Sequence, residues 1–290
     1  MSDYVIVTES TIDCGQELAD EMGLVVIPMQ FTLNGKEYNN YPDEREMPIT
    51  KFYEALRGGG MSNTSQLSAD AYIQVLSPIL EEGKDVLCIV FSSGLSGTYQ
   101  SCESAAEELR ARFPDRKIAV VDSRCASMGQ GLLCWHATQK KKNGMGLDEL
   151  AEWVTENRLK LCHWFTVDDL KFLQRGGRVS AAAALVGTIL SVKPVLHIDN
   201  EGHLIMINKA IGRKRSLNAL VDKMEETGKD NAGQTVFISH GDCPADAEFV
   251  AGELRRRFGT KDIRINPIGP VIGCHSGPGT VAMFFMGTER

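Results

Sequence analysis

Short β-branched runs and helical segments take turns through the first half of this chain. That alternation limits the half to an α/β arrangement. Residues 4–8, 24–28, 86–91 and 118–121 read as strands; 16–22, 49–56, 69–82, 99–113, 128–142 and 147–158 read as helices. Ser68 and Asp70 supply an N-cap and a first-turn acid for the third helix. Asn34-Gly35, between 30–33 and 36–38, is a hairpin signal. Crossovers of this kind predict a mainly parallel sheet with helices on its faces.

The texture changes near residue 160. Strands are predicted at 161–167, 191–198, 203–208, 236–239, 262–266 and 280–286, with helices at 217–227 and 245–258. Asp199-Asn200-Glu201-Gly202 joins an antiparallel hairpin. The expected architecture is therefore α/β in two domains. Residues 1–159 form a mainly parallel sheet flanked by helices, and 160–290 form an α+β domain with antiparallel strands.

Parallel sheets take ligands at loops beyond the carboxyl ends of their strands, here 8–11, 92–98 and 122–127. The second, Ser92-Ser93-Gly94-Leu95-Ser96-Gly97-Thr98, has more hydroxyls than one helix cap needs. It also has glycines that admit a ligand to the backbone and free N–H groups at a helix start, which are the parts of an anion site. Thr98 occupies the place of the last glycine in G-x-S-x-G, so the loop is not a nucleophile elbow. Asn63-Thr64-Ser65-Gln66 is a second hydroxyl cluster, which by itself could be plain helix capping. Gly273-Cys274-His275-Ser276-Gly277 reads as a glycine-rich turn exposing an imidazole. Arg175-Gly176-Gly177-Arg178 offers two guanidiniums, for an anion or for a cap or ion pair.

Other classes are excluded by what the sequence lacks. There is no G-x-x-x-x-G-K-[ST] loop, and Gly129-Gln130-Gly131 fails the dinucleotide pattern at Cys134. The eight cysteines make no C-x-x-C pair, so free thiols are expected and zinc is not. A net charge of −7 argues against nucleic acid. The basic runs at 140–142 and 255–257 read first as solvated helix faces, and second as docking surfaces. No apolar stretch approaches the roughly 20 residues that span a bilayer, and the first residues carry no basic signal region. With reduced thiols, these features predict a cytoplasmic protein without stable membrane insertion.

Taken in order, the motifs resemble the DegV family. Thr8-Glu9-Ser10-Thr11 is similar to its T-D-S-T, with Glu9 for aspartate, and Thr64-Ser65-Gln66 to its T-S-Q, with Leu67 for the proline that often follows. Ser92-Ser93-Gly94-Leu95-Ser96-Gly97-Thr98-Tyr99 is similar to S-S-x-L-S-G-T-Y. Val121-Asp122-Ser123, Arg175-Gly176-Gly177-Arg178-Val179-Ser180, Val192-Lys193-Pro194 and His275-Ser276-Gly277-Pro278-Gly279 follow. The resemblance implies a non-catalytic, lipid-binding protein holding one long-chain fatty acid, with no other cofactor and no metal. It further implies a separate fatty acid kinase subunit that supplies ATP and converts the acid to acyl phosphate. Carried over by motif, Thr64 and Ser96 hold the carboxylate, Ser93 and Gly97 belong to the same ligand loop, and Arg178 and His275 lie near the head group. Ile211 stands where the resemblance places an arginine, with Arg213 two residues on. That departure supports an alternative, a stand-alone lipid carrier or sensor with no kinase partner.

Overall fold

A computed structural model of the chain describes residues 3–180 and 192–290. Ser191, expected to open a strand, lies outside the described residues.

Strands β1 (Tyr4–Glu9), β2 (Val25–Ile27), β6 (Asp85–Val90) and β7 (Ile118–Asp122) form a wholly parallel sheet in the order β2-β1-β6-β7. Every residue of β6 is buried, as a central parallel strand with packed faces requires. A small antiparallel sheet, β4-β3-β5, sits beside it, built from β3 (Met29–Leu33), β4 (Lys36–Asn40) and β5 (Ser62–Thr64). Asn34 and Gly35 both take positive φ (52° and 80°) at the β3–β4 turn, the type I′ geometry that Asn-Gly favours. Residues 62–64 have no apolar alternation and read from sequence as a capping loop. They pair with β3 instead, Thr64 opposite Phe31.

The third sheet runs β10-β9-β8-β13-β11-β12, from β8 (Leu161–Thr166), β9 (Val192–Ile198), β10 (Leu204–Ile211), β11 (Val236–His240), β12 (Ile263–Pro267) and β13 (Val281–Met286). It is mixed rather than purely antiparallel. β11 and β12 pair in parallel, because the helix between them is a crossover connection rather than a hairpin.

Among the described residues the α-helices are α1 (Gly15–Met22), α2 (Ile49–Arg57), α3 (Ala69–Glu81), α4 (Thr98–Arg112), α5 (Met128–Lys142), α6 (Leu147–Asn157), α7 (Lys171–Arg175), α8 (Arg213–Thr227), α9 (Pro244–Phe258) and α10 (Pro270–Ser276). α5 lies between the parallel sheet and the third sheet, and one apolar cluster joins Leu132, Leu133 and Cys134 to Leu87 and Ile89 on one side and to Phe237 and Phe284 on the other. Burial on every side of its first two turns, Met128–Cys134, explains its weak amphipathic pattern. Helices α8 and α9 cover the far face of the third sheet through Leu217, Leu220, Val250 and Leu254. All eight cysteines are free, and Cys243 alone is not fully buried.

The two basic runs have intrachain partners. Lys140 lies over the Trp153 ring, Lys142 donates to the Glu21 carbonyl, and Arg257 pairs with Asp222 and Glu225.

Candidate functional site

The loops after β1, β6 and β7 gather at the carboxyl edge of the parallel sheet, where β5, α7, α10 and the third sheet meet them. Together they enclose a cavity of about 270 Å³. Thr64, Ser96, Gly97, Arg178 and His275 line it; Ser93 is not among the lining residues. Its other walls are largely apolar, with Phe91, Phe165, Leu173, Ile198, Val271 and Phe284 prominent.

The five lining candidates close into a ring. Thr64 Oγ1 and His275 Nε2 are 2.8 Å apart. The other face of that imidazole lies against Gly176, where a Cβ would come 2.1 Å from Nδ1. The Gly176 carbonyl accepts from Arg178 Nη1, and Arg178 donates Nε and Nη2 to the Leu95 carbonyl at 3.2 and 2.9 Å. Ser96 follows Leu95, and a Cβ on Gly97 would be 2.3 Å from Gln66 Oε1. Gln66 leads back along the chain to Thr64. Two glycines, at 97 and 176, thus let the ring close.

His275 differs from its sequence reading. It occupies the last turn of α10, a helix with proline at its first positions, and it is half-buried rather than displayed on a glycine turn. The prolines and glycines around it end the helix rather than replace it. Burial, and then the Arg178 and Arg175 charges, pull its pKa from 6.5 down to about 4. The ring is therefore neutral at physiological pH. Among the described residues Nδ1 has no partner, and a buried N–H without an acceptor costs more than an unused lone pair, which favours the proton on Nε2, donated to Thr64 Oγ1. That leaves the Thr64 hydroxyl proton free to point into the cavity.

Ser96 is prepared in a similar way. Its Oγ accepts the Thr98 N–H at 3.2 Å and lies 2.8 Å from Thr98 Oγ1. With the Thr98 hydroxyl as donor, the Ser96 proton is also free. Ser93 is committed elsewhere: its N–H and Oγ donate to the Asp122 carboxylate at 3.1 and 2.6 Å. The two arginines of the Arg175–Arg178 motif part company. Arg178 is half-buried at the cavity, with burial lowering its pKa from the ordinary arginine value, while Arg175 lies over the Phe172 ring and donates to Met61 Sδ.

Sequence reasoning passed over the polar support behind the cavity. Glu9 is fully buried and accepts from the Tyr72 hydroxyl, Phe91 N–H (3.1 Å) and Gln130 Nε2 (2.9 Å). Desolvation raises its pKa, and these donors oppose the rise. Ser127, which lines the cavity, donates to the buried Asp13 at 2.6 Å. Burial pushes Asp13 up to about 8. The Thr8-Glu9-Ser10-Thr11 motif was the signal that could have led there.

Ile211, at the end of β10, is 64% exposed. Arg213 is held by Asp246 (2.8 Å) and by the Gly279 carbonyl (2.6 Å). Among the described residues no group of three or more His, Cys, Asp or Glu side chains could hold a metal ion, and no helix is long and apolar enough to cross a membrane.

Comparisons with known proteins agree with this architecture. The DegV family model matches residues 3–288. A DegV domain-containing protein of Clostridium perfringens is 42% identical over 290 residues, covering 100% of this chain and 99% of the relative. The solved structure of a fatty-acid-binding DegV family protein from Thermus thermophilus is 29% identical, with a TM-score of 0.87 over 99% of this chain and 100% of that one. The Streptococcus pneumoniae fatty acid kinase B3 protein, loaded with linoleic acid, is 20% identical and shares the fold, with a TM-score of 0.85 over 98% and 99% of the two chains.

Proposed function

This chain belongs to the DegV family, and we propose that it binds one long-chain fatty acid in the cavity and presents it to a separate ATP-dependent kinase subunit. In this reading Thr64 and Ser96 donate to the carboxylate, and the acyl chain lies along the apolar walls. The observation that carries it is the ring: two hydroxyls, one guanidinium, and a neutral imidazole in contact with one hydroxyl, all opening on Phe, Leu, Ile and Val side chains. The fatty-acid-binding Thermus relative supports the choice of ligand.

The energetics suit such a site. A chain of about sixteen carbons gains roughly 0.8 kcal/mol per buried methylene, about 12 kcal/mol before entropy costs. The head group then needs no tight ion pair. Neutral hydroxyls can satisfy a carboxylate while leaving an oxygen able to attack the γ-phosphorus of ATP. The new carboxylate O–P bond forms as the bond to the ADP oxygen breaks, giving acyl phosphate and ADP. Arg178 would stand beside the added charge.

A second reading, a carrier or sensor without a kinase, is favoured by Ile211 and by the commitment of Arg213 to Asp246 and Gly279. Incubation of the protein with a DegV-partnered kinase subunit, ATP and radiolabelled fatty acid separates the two. Acyl phosphate that depends on this chain supports presentation. Its absence, with the fatty acid still bound, leaves the carrier.

A further inference from the structure

Every N–H of the Arg290 guanidinium is donated. Nε serves the Leu161 carbonyl (3.0 Å), and Nη1 the carbonyls of Arg124 (2.9 Å) and Asp199 (3.0 Å). Nη2 serves the Arg158 carbonyl (2.6 Å) and Cys125 Sγ (3.4 Å). A guanidinium has five donors in a rigid planar fork, and here all are used on segments far apart in sequence. One is the loop after β7, another the turn joining β9 to β10, and the third the chain around the start of β8.

The first two of these segments cradle the serine loop. The Ser92 N–H donates to the Cys125 carbonyl at 3.1 Å. The Ser93 N–H and hydroxyl both go to Asp122. From the other side, the Ser92 hydroxyl donates to the Gly202 carbonyl at 2.9 Å, and Gly94 approaches the same turn so closely that a Cβ would meet Gly202 at 2.8 Å. The Ser92 carbonyl in turn accepts the N–H groups of Leu95 and Ser96 at 3.1 and 3.2 Å. An unbroken set of contacts therefore runs from Arg290 to Ser96.

We infer that Arg290 is a positioning residue for the head-group site, holding the β7 loop and the β9–β10 turn together so that the serine loop between them has one place to lie. The inference rests on the acyl reading above and adds to it a residue remote from the ligand. Its effect is on the head group. Ile198 and Leu204, the cavity residues flanking the turn, are paired to each other across β9 and β10 and do not need the fork. Lysine cannot substitute, because three donors on one nitrogen cannot reach acceptors spread over those segments.

The test compares a sixteen-carbon fatty acid with the sixteen-carbon alcohol, which has the same chain and no charge, by titration calorimetry on the full-length protein. Arg290→Lys should weaken fatty acid binding about tenfold, the scale of one lost hydrogen bond to a carboxylate, and leave the alcohol within about twofold. Gly202→Ala perturbs the same cradle independently, since its Cβ would lie 2.2 Å from Ser92 Oγ, and should show the same selectivity even if Arg290→Lys does not accumulate. Equal losses for acid and alcohol in these variants, or no loss for either, would overturn the positioning role. Wild-type protein that binds neither compound would overturn the acyl reading itself, and this inference with it.

Discussion

At Thr64 the direction of one proton sets what the site can hold. With His275 neutral and its Nε2–H given to Thr64 Oγ1, the threonine hydroxyl can only donate onward. The Ser96 hydroxyl is free to donate onward when Thr98 Oγ1 is the donor of their shared contact. Thr64→Ala and Ser96→Ala should each weaken fatty acid affinity about tenfold, and the double variant more, with the folded state losing only about 1 kcal/mol per site. Ser93→Ala should cost stability through Asp122 and weaken affinity less than either, because its hydroxyl faces the Asp122 carboxylate and not the cavity, and its N–H still ties the loop to Asp122. Titration calorimetry and denaturant unfolding separate the two outcomes. Ser96 is legible in sequence because residues 92–98 carry more hydroxyls than one cap uses, whereas Thr64 stands out only through the family resemblance, since 63–66 could be plain capping. The neutrality of His275 is not legible. It comes from burial, and then from the Arg178 and Arg175 charges, none of which reaches the imidazole except through the tertiary fold.

Among the elements, α5 and α9 make opposite uses of glycine. Gly129 in α5 leaves room for His163, whose Nε2 would be 2.1 Å from a Cβ there; Gly252 in α9 has nothing within 4 Å. Gly129→Ala should therefore destabilise by about 1–3 kcal/mol in spite of alanine's better helix propensity. Gly252→Ala should stabilise by about 0.5–1 kcal/mol. Chemical denaturation of the two variants checks both signs. The elements with a continuous apolar run or a clear apolar period are legible almost to the residue, as at β6 and α3 respectively. β5 is not, because three polar residues have no pattern of their own and are strand only through pairing with β3. Nor is α10, whose glycines and prolines imitate a turn.

For the molecule as a whole, buried ionisable groups set the response to pH. Burial depresses the pKa of His136, His163, His197, His240 and His275, the first, third and last to about 4 from 6.5. On acidification below about 6.5 the unfolded chain gains protons that these rings refuse, so stability is lost as pH falls. Glu9 and Asp13 act oppositely. Asp13 keeps its proton in the fold up to about 8 but loses it above 3.8 when unfolded, so its contribution declines as pH rises between those values. Five histidines outweigh two carboxylates on the acid side, and between 6.5 and about 8 the histidines have finished titrating while Asp13 has not. The thermal midpoint should therefore peak near pH 6.5, with a steep fall toward 4 and a shallow one toward 8; a midpoint that rises steadily into acid would contradict this. None of it can be read from composition, since the pKa values follow burial between layers. α5, packed between two sheets, is what turns the predicted halves into walls of one cavity.

The central claim is that those walls enclose a fatty acid held by Thr64 and Ser96. Mass spectrometry of the material released on denaturing purified protein tests it most directly, with the Thr64→Ala, Ser96→Ala double variant prepared in parallel. Near-stoichiometric long-chain fatty acid from the wild type, depleted in the variant, is the predicted result. Only water-soluble metabolites from the wild type, or equal acyl content in the two proteins, would contradict it.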